Sequence, residues 1–395
     1  MECVLHILDW ILFVLFAVNI LYLLIYSLAS RRRDSSTAAV ATAHKRFAIL
    51  IPAYKEDAVI HECVESCLEQ DYPTDCFDVV VISDRMKPET NASLSRLPIR
   101  LVEVKFEKST KSKSLNAAMQ AIGDDYDIAV VLDADNIIPC DYLTDINNLF
   151  AGSGVEIVQT HRMAKNLNTD MAFLDAISEE INNSIFRLGH ARLGMSAALI
   201  GSGMAFRYRL FRDTMANVKA IGGFDRELEL TLLYQGHFFH YLPETYVFDE
   251  KIQNTDDFSR QRRRWLSAQL HYCRVFVRFL FRAIADRKWD FCDKLFQQFS
   301  IPRLLLLGFT GIFTLLITIY DFHWSLKWWL LLALLVMALL MAVPKRYCTT
   351  RLVTTLCALP NTFWVMALNI FKLRGANKTF IHTAHGVTGK DGNVK

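Results

Sequence analysis

Three long apolar runs predict membrane-spanning helices: residues 10–30, 304–320 and 326–343. At about 1.5 Å per residue, a helix over each run approaches or spans the roughly 30 Å hydrocarbon core of a bilayer. Acidic residues precede the first run, and Arg31, Arg32 and Arg33 follow it. A cleaved signal peptide has its positive charge before a shorter apolar region. We therefore expect the first run to be a retained anchor.

The basic residues beside these runs predict the topology. The positive-inside rule places the triple arginine in the cytosol. Residues 321–325 contain no Lys or Arg, whereas Lys345 follows the last run, so we expect a hairpin with an external tip and a cytosolic exit. A fourth apolar stretch, residues 352–371, carries Pro360 and Asn361 at its centre and basic residues after its end. It favours an interfacial or re-entrant helix, with a span as the alternative.

Between the anchors, short apolar runs alternate with amphipathic stretches. This pattern predicts buried parallel strands separated by helices, such as those over residues 57–70 and 112–122. The predicted strands are residues 47–51, 79–82, 99–104 and 128–132. The fold class expected is α/β, a doubly wound and mostly parallel sheet fused to transmembrane and interfacial helices. In such sheets ligands bind beyond the carboxyl ends of the strands.

Polar side chains follow these predicted strands. The first strand leads into residues 52–57, the second into Asp84, and the fourth into Asp133 and Asp135, with Lys111 and Lys113 in between. Paired carboxylates can hold a divalent cation, and lysines can neutralise phosphate. Any one of these residues alone is more typical of a helix cap or a solvated turn. Their convergence on one sheet edge indicates a ligand site.

Charge and cysteine content exclude other classes of protein. The net charge of +3 comes from 44 basic and 41 acidic residues, so no global cationic field indicates nucleic acid as a partner. The nine cysteines contain no Cys-x-x-Cys pair, which argues against both a disulfide scaffold and a zinc site.

Taken together, these residues resemble the membrane-embedded processive glycosyltransferases of family 2, which include the cellulose, hyaluronan and chitin synthases. The resemblance extends from Phe47 to about Gly386. Its most specific element is Gln261-Arg-Arg-Arg264-Trp265, which matches the Gln-x-x-Arg-Trp signature of the processive members. The implied fold is GT-A-like and related to the Rossmann fold.

The resemblance also implies roles for individual residues. Asp84 is similar to the uracil-contacting aspartate, Asp133-Ala-Asp135 to the Asp-x-Asp element that holds Mg²⁺ or Mn²⁺, and residues 201–207 to the acceptor-side strand. The implied metal ligands are Asp135 and Asp133. The implied substrate-binding residues are Pro52, Tyr54, Glu56, Asp84, Lys111, Lys113, Asp133, Gly203, Gln261, Arg264, Trp265, Thr383 and His385.

Asp225 is the residue that the resemblance implies as the general base. Phe224 stands where the family has a preceding acid, so Glu227 and Glu229 are rival candidates, although Glu229 is expected on the helix surface. Residues 380–386 are similar to a gating loop that folds over the nucleotide, with His385 in place of its terminal lysine. A neutral imidazole would contact the diphosphate as a cation only if bound phosphate raised its pKa.

The implied reaction is an inverting, metal-dependent transfer of a sugar from a UDP-sugar donor to the hydroxyl of a growing oligosaccharide or polysaccharide acceptor. Processive synthesis with export is expected, and three spans then need the interfacial helices, an export partner or a homo-oligomer to complete a channel. Two alternatives stay open: single transfer to a lipid-phosphate or lipid-linked acceptor, and an inactive export subunit. The expected location is a bacterial inner membrane, with the catalytic domain cytoplasmic.

The expected domains follow from these assignments. They are an anchor (1–33), a cytosolic glycosyltransferase domain (34–290) that includes an amphipathic interfacial helix (266–285), a transmembrane hairpin (291–345), an interfacial or re-entrant helix (346–374) and a gating-like tail (375–395).

Overall fold

A computed structural model of the chain describes residues 2–32, 40–152, 154–220, 222–357 and 359–371. The predicted tail, residues 375–395, lies outside the described residues. The strands are β1 (Phe47–Tyr54), β2 (Phe77–Asp84), β3 (Arg100–Val104), β4 (Ile128–Val131), β5 (Ile157–Ala164), β6 (Met204–Arg207) and β7 (Phe239–Asp249).

The α-helices are α1 (Glu2–Ser30), α2 (Ile60–Leu68), α3 (Pro88–Leu94), α4 (Lys111–Ile122), α5 (Tyr142–Phe150), α6 (Asp170–Asn182), α7 (His190–Arg192), α8 (Tyr208–Met215), α9 (Phe224–Gln235), α10 (Thr255–Phe276), α11 (Leu280–Ala285), α12 (Trp289–Phe299), α13 (Arg303–Tyr320), α14 (Phe322–Ala342), α15 (Thr350–Leu356) and α16 (Leu359–Phe371). A π-helix, Asn183–Gly189, joins α6 to α7, and short 3₁₀ turns cover Thr74–Cys76, Val277–Phe279 and Lys345–Tyr347.

The seven strands form one sheet in the order β3-β2-β1-β4-β6-β5-β7. All neighbours pair in parallel except β6, which runs antiparallel to β4 and β5. The predicted fold class is therefore confirmed: the sheet is mostly parallel, and the four predicted strands are β1 to β4. We call residues 47–299, which contain this sheet and its helices, the sheet domain.

Both faces of the sheet are covered, which explains why its central strands read as unbroken apolar runs. Along β1, Ala48 and Leu50 pack into the hydrophobic cluster on one face, while Ile49 and Ile51 pack into the cluster on the other. This alternation is the two-residue period of a strand. The carboxyl ends of β1, β2 and β4 consequently open at one edge of a rigid core.

Three helices in the described part of the chain are long and apolar enough to cross a membrane: α1, α13 and α14. We call them the membrane helices. α1 and α14 run in the same direction, because the Trp328 indole donates to Asp9 at 2.7 Å near their starts and Ser27 donates to the Ala338 carbonyl at 2.7 Å near their ends. Arg31 also donates to the Val343 carbonyl at 3.2 Å. This arrangement is the one that a hairpin following an anchor requires.

The fourth apolar stretch forms two helices, α15 and α16, which meet at a bend of 46°. α16 packs against α13, where a Cβ atom on Gly308 would lie 2.2 Å from the Phe363 ring. Asn369 donates to the Ser259 carbonyl of α10 at 3.2 Å. A bent pair is compatible with a broken span and with a re-entrant segment, so the interfacial or re-entrant helix stays a prediction.

A polar cluster fastens the sheet domain to α1. His190 is fully buried, its Nε2 lies 3.0 Å from Asp293 Oδ2, and its ring stacks on that of Tyr26 at 3.6 Å between centroids. The hydroxyl of Tyr22 donates to Asp293 at 2.8 Å. These contacts hold one end of the sheet domain directly against the membrane helices. In α11, Phe281 and Ile284 are exposed, and the predicted contact of residues 266–285 with a membrane surface stays a prediction.

Candidate active site

One cavity of about 1120 Å³ opens at the carboxyl ends of β1, β2 and β4. It is the position that a doubly wound sheet offers to a ligand. Most of the predicted site residues line it: Pro52, Tyr54, Glu56, Asp84, Lys111, Asp133, Asp135, Asp225, Gln261, Arg264 and Trp265. Residues separated by up to 213 positions in the chain, from Pro52 to Trp265, therefore share one chamber.

Asp84 is held at the end of β2 beside the end of β1. Tyr54 and Asp84 are register partners in the two parallel strands, and the next residues, Lys55 and Arg85, have φ angles of 57° and 58°, which end both strands. Asp84 is 1% exposed, and neither of its carboxylate oxygens has a hydrogen-bond partner among the described residues. A buried polar group without a partner is costly, so this carboxylate is suited to a ligand N–H donor.

Lys111 reaches the cavity from the first turn of α4. Its ammonium donates to Asp133 Oδ1 at 2.5 Å and to the Gly201 carbonyl at 2.6 Å. Lys113, two residues on, points elsewhere, since its ammonium donates to the Lys108 carbonyl at 2.9 Å and it does not line the cavity. Of the two lysines, the structure brings only Lys111 to Asp133.

The Asp133-Ala-Asp135 turn is fixed by hydrogen bonds from two directions. Asn136 Oδ1 accepts from the Asp133 N–H at 2.9 Å, and Asp135 Oδ2 accepts from the Glu250 N–H at 3.0 Å, just after β7. No group of three or more metal-ligating side chains occurs in the described ranges. Two adjacent carboxylates nevertheless fit Mg²⁺ or Mn²⁺, because such cations commonly take one or two carboxylates and complete their shell with substrate phosphates and water.

Asp225 lies in the first turn of α9, next to the Lys111 bridge. A Cβ atom on Gly201, which has φ +88°, would lie 3.7 Å from Asp225 Oδ2. Because the Gly201 carbonyl also accepts from Lys111, the chain of contacts runs from Asp133 through Lys111 and Gly201 to Asp225. The candidate metal ligand and the candidate base are thus neighbours in space.

The rival acids Glu227 and Glu229 have other partners. Glu227 accepts from the Tyr272 hydroxyl at 3.4 Å and does not line the cavity. Glu229 is buried, lies 3.2 Å from the ammonium of Lys294, and accepts from the Leu199 N–H at 2.8 Å. The prediction that Glu229 lies on the helix surface is therefore wrong: it forms a buried ion pair between α9 and α12.

α10 places the Gln-x-x-Arg-Trp residues against the same chamber. Gln261 Oε1 is buried without a hydrogen-bond partner in the part of the chain that the structure describes. Burial lowers the pKa of the Arg264 guanidinium, and the charges of Asp225 and Asp133 oppose that effect, so Arg264 is an electrostatic neighbour of both. Arg262 lies between Gln261 and Arg264 in the sequence. Its guanidinium pairs with the Asp175 carboxylate at 2.6 Å and lies 4.4 Å from the centroid of the Trp265 ring.

Gly203 lies outside the cavity lining, and packing accounts for its identity. It has φ +60°, and a Cβ atom there would lie 2.6 Å from Val247 Cγ1 and 2.7 Å from Thr160 Oγ1. Only glycine lets the chain pass this closely over β5 and β7 in that conformation. The predicted substrate contacts Thr383 and His385 lie outside the described residues.

Comparison with known proteins identifies the family. The model of the family described as "Glycosyltransferase like family 2" matches residues 44–268, more than half of the 395-residue chain. The chain belongs to glycosyltransferase family 2. The probable glycosyltransferase YdaM of Bacillus subtilis (strain 168) is 22% identical over 300 residues, which cover 71% of this chain and 68% of that protein.

Two solved structures are similar to this glycosyltransferase. The mannosyltransferase PcManGT from Pyrobaculum calidifontis, in complex with GDP-Man and Mn²⁺, superposes with a TM-score of 0.54 at 17% identity, covering 83% of this chain and 95% of that one. S. aureus TarS 1–349 in complex with UDP-GlcNAc gives a TM-score of 0.44 at 16% identity, covering 84% and 90%. The first of these likenesses shows that the sheet is of the GT-A type.

Sequence reasoning missed a buried charge network beside the glycosyltransferase site. Arg162 of β5 lies 3.0 Å from Glu179 of α6 and 3.4 Å from Asp249 of β7, and Lys251 lies 2.6 Å from Asp249. Burial raises the pKa of Asp249; at Glu179 the charges of Arg162 and Arg187 outweigh burial and hold the pKa below its usual range. These residues come from separate elements, so no local motif could have indicated them.

Sequence reasoning also missed how far the cavity extends. Beyond α10 and α6 its lining passes to apolar side chains of the membrane helices and of α15 and α16. Aliphatic residues of that part include Leu23, Leu304, Leu307, Val336, Leu339, Leu340, Val343, Leu352, Leu356 and Leu359. The chamber that holds the aspartates is thus continuous with a space between helices suited to a bilayer.

Proposed function

We propose that the protein transfers a hexosyl group from a UDP-sugar to an acceptor hydroxyl at the cytosolic face of a membrane, with inversion at the anomeric carbon and with Mg²⁺ or Mn²⁺. One observation carries the proposal: Asp84, Asp133, Asp135 and Asp225 line a single cavity in a chain of glycosyltransferase family 2. The presence of GDP-Man and Mn²⁺ in the PcManGT structure supports a nucleotide-sugar donor and a divalent cation.

Asp133 and Asp135 would hold the cation together with oxygens of the donor diphosphate. A divalent cation at this place supplies positive charge that stabilises the leaving diphosphate. Lys111, within hydrogen-bond reach of Asp133, adds a fixed positive charge at the same spot. Arg264 and Gln261 face this region from α10 and are suited to the remaining phosphate oxygens.

Asp225 receives the proton of the attacking hydroxyl. General base assistance of this kind contributes about 10² to 10⁴ in rate. Displacement of the diphosphate by the hydroxyl, with no covalent sugar intermediate, inverts the anomeric configuration. Asp84 accepts a hydrogen bond from an N–H group of the nucleobase, and Trp265 offers a flat ring face on which a sugar can pack.

Two acceptor classes follow from different observations. The Gln-x-x-Arg-Trp residues favour a growing polysaccharide and processive transfer, with a homo-oligomer or an export partner completing the channel. The aliphatic continuation of the cavity favours an acceptor that carries a lipid. Sizing the products separates long polymer from single-sugar transfer.

The test measures UDP release by purified full-length protein from a panel of UDP-sugars with Mn²⁺ or Mg²⁺. We expect Asp225→Asn to lower kcat by about 10² to 10⁴ with little change in donor KM. Asp213→Asn, which changes a side chain that is 66% exposed, is the matched control and should behave as wild type. If Asp225→Asn has the same kcat as the wild type, Asp225 is not the general base. If the wild type releases no UDP from any donor, the result supports an inactive export subunit.

A further inference from the structure

The cavity changes character at Arg303, the first residue of α13. On one side of it lie the polar residues of the sheet domain, and on the other lie Leu304 and Leu307 of the next turn, followed by the aliphatic side chains of α14. Arg303 itself lines the cavity. A cation therefore stands where the charged chamber becomes a hydrocarbon-lined space.

Arg303 differs from three other arginines that line this cavity. Arg162, Arg187 and Arg262 each pair with a carboxylate, at 3.0, 3.1 and 2.6 Å. Arg303 donates from Nη2 to the Ser178 carbonyl at 3.1 Å and to Asn182 Oδ1 at 2.8 Å, which are neutral acceptors. Its Nη1 is buried, and no hydrogen-bond partner for it occurs among the described residues.

Such a guanidinium is suited to an anion. Removing a charge from water is costly unless an opposite charge and hydrogen bonds compensate. Arginine's planar fork of N–H groups matches the geometry of phosphate oxygens. The neutral partners of Arg303 hold its side chain in place, and it forms no ion pair with a carboxylate within the described part of the chain.

The wall beyond Arg303 indicates what the anion is attached to. Leu339 and Leu340 of α14, Val343 directly after that helix, and Leu356 of α15 line it with saturated side chains. Sugars in proteins pack on aromatic faces and form hydrogen bonds, and these side chains provide neither. A hydrocarbon chain, in contrast, buries its surface favourably against them.

We propose that the acceptor is a lipid-linked saccharide whose phosphate binds Arg303, whose apolar chain lies along α13, α14 and α15, and whose sugar hydroxyl reaches Asp225. This inference rests on the proposed function. The nucleophile is a sugar hydroxyl rather than the phosphate itself. A phosphate is already ionised at neutral pH and needs no general base, whereas a hydroxyl must lose its proton. The acceptor oxygen bonds to the anomeric carbon, the bond from that carbon to the diphosphate breaks, UDP leaves with the electron pair, and Asp225 takes the hydroxyl proton.

Three acceptor probes test the proposal with detergent-purified full-length protein, a UDP-sugar and Mn²⁺. They are a monosaccharide joined through phosphate to a long alkyl chain, the same monosaccharide on the same chain without phosphate, and the free monosaccharide. We expect acceptor KM to rise in that order. Equal use of the free monosaccharide overturns the lipid proposal, and UDP release that still depends on Asp225 then leaves the proposed function standing.

Variants at Arg303 isolate the phosphate contact. We expect Arg303→Gln to raise KM for the phosphate-linked acceptor about tenfold or more, the loss typical of one charge-assisted hydrogen bond, with no change for the phosphate-free acceptor or the donor. Arg303→Lys should recover part of the loss. Arg282→Gln, at a side chain that is 78% exposed, is the control and should match wild type. An equal effect of Arg303→Gln on both lipid acceptors overturns the phosphate contact.

A binding measurement makes the test independent of catalysis. A long-chain alkyl phosphate should raise the Tm of the wild type, and neither inorganic phosphate nor the corresponding alkyl alcohol should raise it as much. Arg303→Lys, which keeps the charge, should retain part of this stabilisation. Equal stabilisation by inorganic phosphate would assign the site to free phosphate and overturn the lipid proposal.

Discussion

The Asp84 carboxylate is buried and also lacks hydrogen-bond partners within the described ranges, a combination that is unfavourable in a folded protein. It is 1% exposed, and in the described part of the chain both of its carboxylate oxygens are without a hydrogen-bond partner. An unsatisfied buried polar group costs about 1–3 kcal/mol, and more when charged. The residue therefore lowers the stability of the ligand-free fold, and a nucleotide N–H donor would remove that cost on binding.

Asp84→Asn should separate these two effects. The amide has the shape of the carboxylate without its charge, so we expect Tm to stay the same or rise while affinity for UDP falls about tenfold, the loss of one charge-assisted hydrogen bond. Calorimetric titration with UDP and Mn²⁺ measures the affinity, and thermal unfolding measures Tm. Asp213→Asn should change neither quantity. Unchanged UDP affinity in Asp84→Asn would contradict the nucleobase contact.

For single residues, the sequence predicted the positions that follow from strand topology. It did not predict the positions that are determined by partners distant in the sequence. Asp84, Asp133 and Asp135 follow strands of one parallel sheet, and parallel strands share their carboxyl edge. Lys111 and Lys113 could not be ranked by pattern, and the structure separates them because residues two apart on a helix do not face the same way. The buried position of Glu229 is not predictable from local sequence, because its partner, Lys294, is 65 residues away in the chain.

The Glu229–Lys294 pair fixes the element that carries Asp225. It joins α9 to α12, and α12 in turn contacts α1 through Asp293 and Tyr22. Lys294 is 2% exposed. Removing one partner of such a pair leaves an uncompensated buried charge, which typically costs about 3–5 kcal/mol, whereas replacing both can be nearly neutral.

Lys294→Met should therefore destabilise the protein by about 3–5 kcal/mol, and adding Glu229→Gln should restore most of the loss. Chemical denaturation in detergent, followed by tryptophan fluorescence, measures both variants. Arg282→Ala breaks an exposed pair with Asp286 and should cost less than about 1 kcal/mol. A double variant as unstable as the single one would show that the pair contributes by packing rather than by charge.

The positions of the elements were largely readable from the sequence, but the place of β6 in the sheet was not. The apolar runs located β1 to β4. Pro360, at the centre of the fourth apolar stretch, stands at the second residue of α16, where a missing N–H is tolerated. The antiparallel insertion of β6 between β4 and β5 depends on pairings between distant segments. The four residues of β6 do not indicate which strands they will pair with.

At the scale of the whole molecule, the continuous cavity arises only when the sheet domain and the membrane helices assemble. Asn19 of α1 accepts from the Ile301 N–H at 3.0 Å, and both residues line the cavity. Apolar length predicted each membrane helix, but length says nothing about which faces meet. The lining of the space between them therefore had to come from the structure.

The native cysteines offer a test of the topology. Cys3 lies at the start of α1, Cys348 follows α14, Cys140 belongs to the sheet domain, and all three are exposed. In single-cysteine variants, a membrane-impermeant maleimide added to intact cells should label Cys3, whereas Cys140 and Cys348 should react only after permeabilisation. Because α1 and α14 run in the same direction, Cys3 and Cys348 must lie on opposite sides of the bilayer. Labelling of both from one side would contradict two spanning helices, and labelling of Cys140 from outside would contradict a cytoplasmic site.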